Sequence, residues 1–138
     1  MDIRGPVDLE ASLEALAAPV TLQFFTQTFG CDTCLPARQI VERVAAFSDQ
    51  ITVEEYNLLL DTEVTERAGI RRAPAIAVVG AEDTGIRFYG VPEGHELISL
   101  VEAVLLVADG DPGLSEETRE RLSGLNDPVD IQVFATPT

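Results

Sequence analysis

Cys31-Asp32-Thr33-Cys34 sets two thiols three positions apart, and they are the only cysteines in the chain. At that spacing both side chains can meet on the first turn of a helix. The pair can then open to a dithiol and close to a disulfide with little backbone movement. The local sequence supplies such a helix. An apolar run rich in β-branched and aromatic residues over 20–26 reads as a buried strand, and Gly30 breaks it. A helix over about 34–47 follows, with Ala37, Ile40, Val41, Val44 and Ala45 as its buried stripe. At a helix start the unpaired backbone N–H groups and the dipole stabilise an anion. A thiolate there has a lowered pKa, and the thiolate is the attacking species. Cys31 precedes the helix and is expected to be exposed, which makes it the nucleophile. Cys34, a turn further in and shielded, is expected to resolve the mixed disulfide. Asp32 either opposes the thiolate by its charge or simply complements the helix dipole. Arg71 and Arg72 favour the thiolate if their loop faces the pair.

Two other readings of the cysteines stay open. A structural zinc site wants four ligands, and one chain offers two Cys and the distant His95, unless a dimer shares four Cys. Inert buried thiols are the other, although they need no such spacing. His95, the single histidine, reads as a capping or packing residue at a helix start. No cofactor-binding or metal-ligating set is expected.

The elements that must position the pair follow from periodicity. Leu9, Leu13, Leu16 and Ala17 share one face of a helix over 8–18, with Asp8 as N-cap and Pro19 ending it. Arg38 and Glu42 are spaced for contact on the wet side of the cysteine helix. A second strand is expected over 51–57, then a short helix over 62–68 stopped by Gly69. A third strand over 75–79 is entered through Pro74, and a fourth over 86–89 completes a hairpin. The strongest helical pattern runs over 93–108, with Leu97, Leu100, Val101, Val104, Leu105 and Ala108 on one face. Residues 109–113 read as a linker, 115–122 as a charged helix capped by Ser115, and 129–135 as a last strand. Strands alternating with helices imply an α/β fold: a mixed, partly parallel central sheet with helices on both faces. Pro74 at the mouth of a central strand cannot donate to the ladder. It is either an ordinary trans residue or a cis peptide in a tight turn beside the cysteine loop, and the context points to cis.

The 138 residues suit a single domain with a sizeable core. Apolar residues are 46% and charged residues 24%, as in folded soluble proteins. The net charge of −15 comes from 24 acids against nine basic residues, all of them Arg. Such a surface repels nucleic-acid phosphates and anionic lipids, so neither is an expected partner. No apolar run approaches the ~18 residues of a membrane span. The N-terminus lacks the pattern of a signal peptide, and a cytoplasmic location is expected. The acid excess and missing lysine read either as adaptation to a salt-rich cytoplasm or as a solubility coat with codon bias.

Sliding the sequence by 109 positions reveals a partial repeat. Leu13, Leu16, Pro19, Val20, Gln23 and Phe25 fall on Leu122, Leu125, Pro128, Val129, Gln132 and Phe134, six identities in thirteen positions. Roughly one would arise from average usage. The chain thus reads as a complete unit over 1–109 and, over 110–138, a linker, helix and first strand of an incomplete second unit. A lone helix and strand cannot bury their own apolar faces. Residues 114–138 are expected to pair between protomers in a homodimer or to extend the sheet edge.

With these residues in hand, the chain resembles the thioredoxin-like superfamily. Within it, the chain more closely resembles the N-terminal unit of two-unit protein disulfide oxidoreductases, also called glutaredoxin-like proteins. The likeness rests on the Cys pair after strand one, on Arg71-Arg72-Ala73-Pro74, on Gly90-Val91-Pro92-Glu93-Gly94-His95-Glu96 and on Val133-Phe134-Ala135-Thr136-Pro137-Thr138. It implies Cys31 and Cys34 as the redox pair and Pro74 as the cis-proline. It also implies that Ala73 offers its backbone to an extended substrate, and that a thioredoxin reductase-like flavoenzyme is the recharging partner. Thioredoxins proper carry a buried Asp where this chain has Phe25, so Glu54, Glu55 or water must handle the Cys34 proton.

The function expected is thiol–disulfide exchange with protein substrates. The alternatives are a dedicated electron carrier feeding a peroxidase partner, like the N-terminal part of alkyl hydroperoxide reductase flavoproteins, and a redox-inert interaction domain.

Overall fold

The computed structural model describes residues 6–136; the cap expected on the side chain of Asp8 lies outside the described residues. The elements are α1 (Pro6–Glu14), β1 (Val20–Thr26), α2 (Cys34–Ala45), β2 (Ile51–Asn57), α3 (Thr62–Ala68), β3 (Ala75–Val79), β4 (Arg87–Tyr89), α4 (His95–Asp109) and α5 (Glu116–Ser123).

The four strands form one mixed sheet in the order β2-β1-β3-β4. β1 runs parallel to β2, with Val20 opposite Ile51, and antiparallel to β3, with Phe25 opposite Ala75. β3 and β4 are the expected antiparallel hairpin. Side-chain alternation sorts the core into two layers. Val20, Leu22, Phe24, Ile76 and Val78 pack with Leu9 and Leu13 of α1, Ala37, Val41 and Val44 of α2, and Leu100 and Val104 of α4. Phe25, Ala75 and Ala77 face the other way, toward Ile70, Val64 and Ala68 on and after α3. β1 is therefore apolar along one face (Val20, Leu22, Phe24), while its other face carries half-buried Thr21 and Gln23 and buries Phe25.

Several boundaries move for local reasons. α1 ends at Glu14, four residues short of the expectation, and the chain turns before Pro19. α2 ends at Ala45, where the bond from Phe47 N–H to the Val44 carbonyl (3.2 Å) tightens the last turn. α4 begins at His95 because Gly94, at φ +63°, leaves the helical region. Gly69 closes α3 in the left-handed conformation as expected, at φ +70°.

Two expectations are corrected. Arg38 does not pair with Glu42; its guanidinium binds Glu55 on β2, because the shorter reach is across to the neighbouring strand. Residues 129–135 form no strand and join no ladder among the described residues. A strand is defined by its neighbours, and no sheet edge lies beside this stretch. Ser115 does cap α5, accepting the Thr118 N–H at 3.2 Å. Among the described residues, no helix is long and apolar enough to cross a membrane.

Candidate active site

β1 delivers the chain to the site and α2 carries it away. Between them Gln27 shapes the turn: its side-chain amide donates to the carbonyls of Phe29 (2.9 Å) and Gly30 (3.2 Å). Gly30 sits at φ +70°, a conformation glycine tolerates without strain. Cys31 follows, half-buried, and is joined by a disulfide to Cys34 with Cα atoms 5.5 Å apart. Cys34 is the first residue of α2 rather than a turn inside it. It is nonetheless only 6% exposed, because it heads the buried stripe that continues through Ala37, Val41 and Val44. No side chain caps the start of α2, and its first turn holds no acid. Pro36 takes the first turn without loss, since an N–H there has no intrahelical partner. The backbone N–H groups of Cys34 and Leu35 remain to favour negative charge at this end.

The sheet register sets the second expected element beside the end of β1. Ala75 lies opposite Phe25, so Pro74 is level with Thr26, where the cysteine loop leaves β1. The Ala73–Pro74 peptide is cis. Pro74 is buried, and its carbonyl accepts the Gly90 N–H at 3.0 Å. Among the described residues, neither the N–H nor the C=O of Ala73 has a backbone partner. Arg71 and Arg72 are exposed beside it, with the Arg72 guanidinium 4.6 Å from the centre of the Tyr89 ring.

A third loop completes this end of the molecule. The Leu58 N–H donates to the Thr26 carbonyl at 2.7 Å. Asn57 donates through its side chain to Thr28 Oγ1 (3.3 Å) and accepts the N–H groups of Leu59 (2.9 Å) and Leu60 (3.1 Å). Its own N–H donates to Asp61 at 2.7 Å. Gln27, Asn57 and Asp61 are site-building residues that sequence reasoning missed. The signal for them was weak: polar residues at the two strand ends, with partners distant in sequence.

Other expected residues lie elsewhere. Glu54 accepts the Tyr56 O–H at 2.7 Å and the Gln23 amide at 3.4 Å. The bond to Glu54, with burial, pushes the Tyr56 phenol above its usual pKa. Glu55 is held by Arg38. Both carboxylates proposed for the Cys34 proton thus have other partners. His95 is exposed, and Gly94, not His95, occupies the cap position of α4. Among the described residues, no three His, Cys, Asp or Glu side chains come together as metal ligands.

A β2-β1-β3-β4 mixed sheet with a C-x-x-C disulfide at the head of the helix after the first strand is a thioredoxin-like fold with the site of a thiol–disulfide oxidoreductase. The chain is similar to the F subunit of alkyl hydroperoxide reductase from Staphylococcus epidermidis, at 28% identity over 131 residues, which is 94% of this chain and 23% of that protein. Among solved structures, the NTD_N/C domain of alkylhydroperoxide reductase AhpF from Enterococcus faecalis matches with a TM-score of 0.74 and 26% identity, over 86% of this chain and 60% of that one. A protein disulfide oxidoreductase from Aeropyrum pernix shares the fold, with a TM-score of 0.75 and 22% identity over 91% of this chain and 56% of that one. No protein-family profile matches. The chain spans less than a quarter of the length of the Staphylococcus epidermidis reductase it resembles.

Proposed function

We propose that the chain exchanges dithiol and disulfide with protein substrates through Cys31 and Cys34. The observation that carries this reading is the disulfide at the head of α2, with the backbone of Ala73 unpartnered just before the strand that pairs with β1. In the reduced protein the Cys31 thiolate attacks a substrate disulfide. The substrate S–S bond breaks, one substrate sulfur leaves and takes up a proton, and a mixed disulfide remains. The Cys34 sulfur, deprotonated, then attacks the Cys31 sulfur and releases the second substrate thiol. Two electrons and two protons pass to the substrate, and the protein is left in the disulfide form. A dithiol reductant, such as the redox pair of a reductase, reverses that state. Ala73 supports substrate binding because its free N–H and C=O can each take one bond from an extended chain.

The decisive assay is insulin reduction in the presence of dithiothreitol. Turnover is expected, lost in Cys31→Ser, while Cys34→Ser accumulates a mixed disulfide visible by mass spectrometry. Turnover that survives Cys31→Ser would remove the mechanism.

The likeness to the alkyl hydroperoxide reductases favours a second reading, in which the pair passes electrons within a reductase–peroxidase system. Activity confined to one peroxidase, with none on insulin, would select it. The repeat over 122–134, in a chain covering 60% and 56% of its longer structural relatives, supports reading 110–138 as the opening of a second thioredoxin-like unit. Pairing of residues 114–138 between protomers is the competing arrangement, and sedimentation separates the two.

A further inference from the structure

Four large apolar side chains stand exposed on the loops that follow β1 and β2 and at the start of α2. Phe29 (85% exposed) and Leu35 (59%) flank the cysteine pair in sequence, and Leu59 (70%) and Leu60 (79%) project from the loop that Asn57 ties to Thr28. On the β3 side of the pair stand Arg71 and Arg72. Five of the arginines are engaged in ion pairs, namely Arg38, Arg67, Arg87, Arg119 and Arg121. Arg71 and Arg72 have no ion pair among the described residues, although acids outnumber arginines 24 to nine. Arg72 is instead stacked on Tyr89. Stacking uses the flat face of the guanidinium and leaves its in-plane N–H fork free for a carboxylate.

We propose that this end of the molecule docks an extended protein segment with apolar residues beside its cystine and an acidic residue on the side that meets Arg71 and Arg72. The proposal rests on the thiol–disulfide reading and names the substrate class for it. The overall charge of −15 works against an acidic partner at long range. At physiological salt, however, charges more than about 8 Å away are largely screened, so the two nearest free cations decide. Asp32, exposed between the two cysteines, opposes them, and the charge preference measured below is the net of the two effects. Tyr89 is a positioning residue: its ring holds the Arg72 guanidinium.

The test uses three disulfide-bonded peptides that share Leu beside the cystine and carry Glu, Gln or Lys two residues further on. The protein is reduced with dithiothreitol and desalted, and second-order rate constants are measured at 0.05 and 0.5 M KCl. The Glu-to-Lys ratio is expected to be about tenfold at low salt and to shrink at high salt. It should fall to within about twofold in Arg71→Ser/Arg72→Ser, and Tyr89→Phe should keep the preference that Tyr89→Ala weakens. A ratio near one in the unmodified protein, or one untouched by the double arginine change, overturns the proposal while leaving the redox reading intact. No reaction even with the Gln peptide overturns both.

Discussion

Asp83 shows how the few arginines hold single side chains in place. Its carboxylate accepts two bonds from Arg87, at 2.8 and 2.5 Å, and one from the Gly85 N–H at 3.0 Å. The Arg87 bonds, followed by that of Gly85, hold the Asp83 carboxyl below its usual pKa. A depressed carboxyl adds stability that is complete above the ordinary value of about 4 and is lost as pH falls through the folded value. Asp83→Asn should therefore lower Tm at pH 7 by about 2–4 °C, the modest figure expected for a largely solvent-screened pair. The difference from the unmodified protein should close as the pH drops below about 3 in thermal melts. At this scale part was legible: Cys34 is shielded as expected although it opens α2 rather than lying a turn inside it, and the Ala73–Pro74 peptide is cis as its context implied. Gln27 and Asn57 were not, because each acts on backbone groups that only folding brings within reach.

Helix and strand boundaries obeyed periodicity where packing and local capping agreed. α3, with its glycine stop, and β1, β2 and β3 end where the pattern ended. One contact between elements has no sequence signal at all. A Cβ placed on Gly80, just after β3, would lie 2.6 Å from Val107 Cγ1 and 3.2 Å from the Val107 carbonyl oxygen on α4. Valine is stiff at χ1 and cannot swing away. Gly80→Ala should cost about 1–3 kcal/mol of stability in denaturant melts. Adding Val107→Ala should recover part of that loss, so the double change falls short of the sum by about 0.5 kcal/mol or more. Strict additivity would mean that the two residues do not meet.

On the scale of the whole molecule, charge and the C-terminal stretch dominate. A net charge of −15 destabilises the compact state by self-repulsion, and salt relieves it, the screening length falling from about 10 Å at 0.1 M to about 3 Å at 1 M. Tm should rise by at least about 5 °C between 0.05 and 2 M KCl; a flat response would retire the salt-adaptation reading. Val129, Ile131, Val133 and Phe134 are all exposed and belong to neither core cluster among the described residues. Removing residues 126–138 should leave Tm within about 2 °C and reduce self-association in light scattering. A fall of more than about 5 °C would show that the stretch packs on its own first unit.

The repeat separates what composition and order could decide from what they could not. Leu13, Leu16, Val20 and Phe25 match Leu122, Leu125, Val129 and Phe134 residue for residue, so the same burial is asked of both copies. Phe25 is fully buried and Phe134 is 91% exposed. Alternation and capping are local properties, and they specified the strands, the helices and the placing of two cysteines at a helix start. Burial is a property of neighbours. Phe25 has β2 and β3 beside it and α3 above it, whereas the described chain offers no such partners to Phe134, and only the tertiary structure decides between those outcomes.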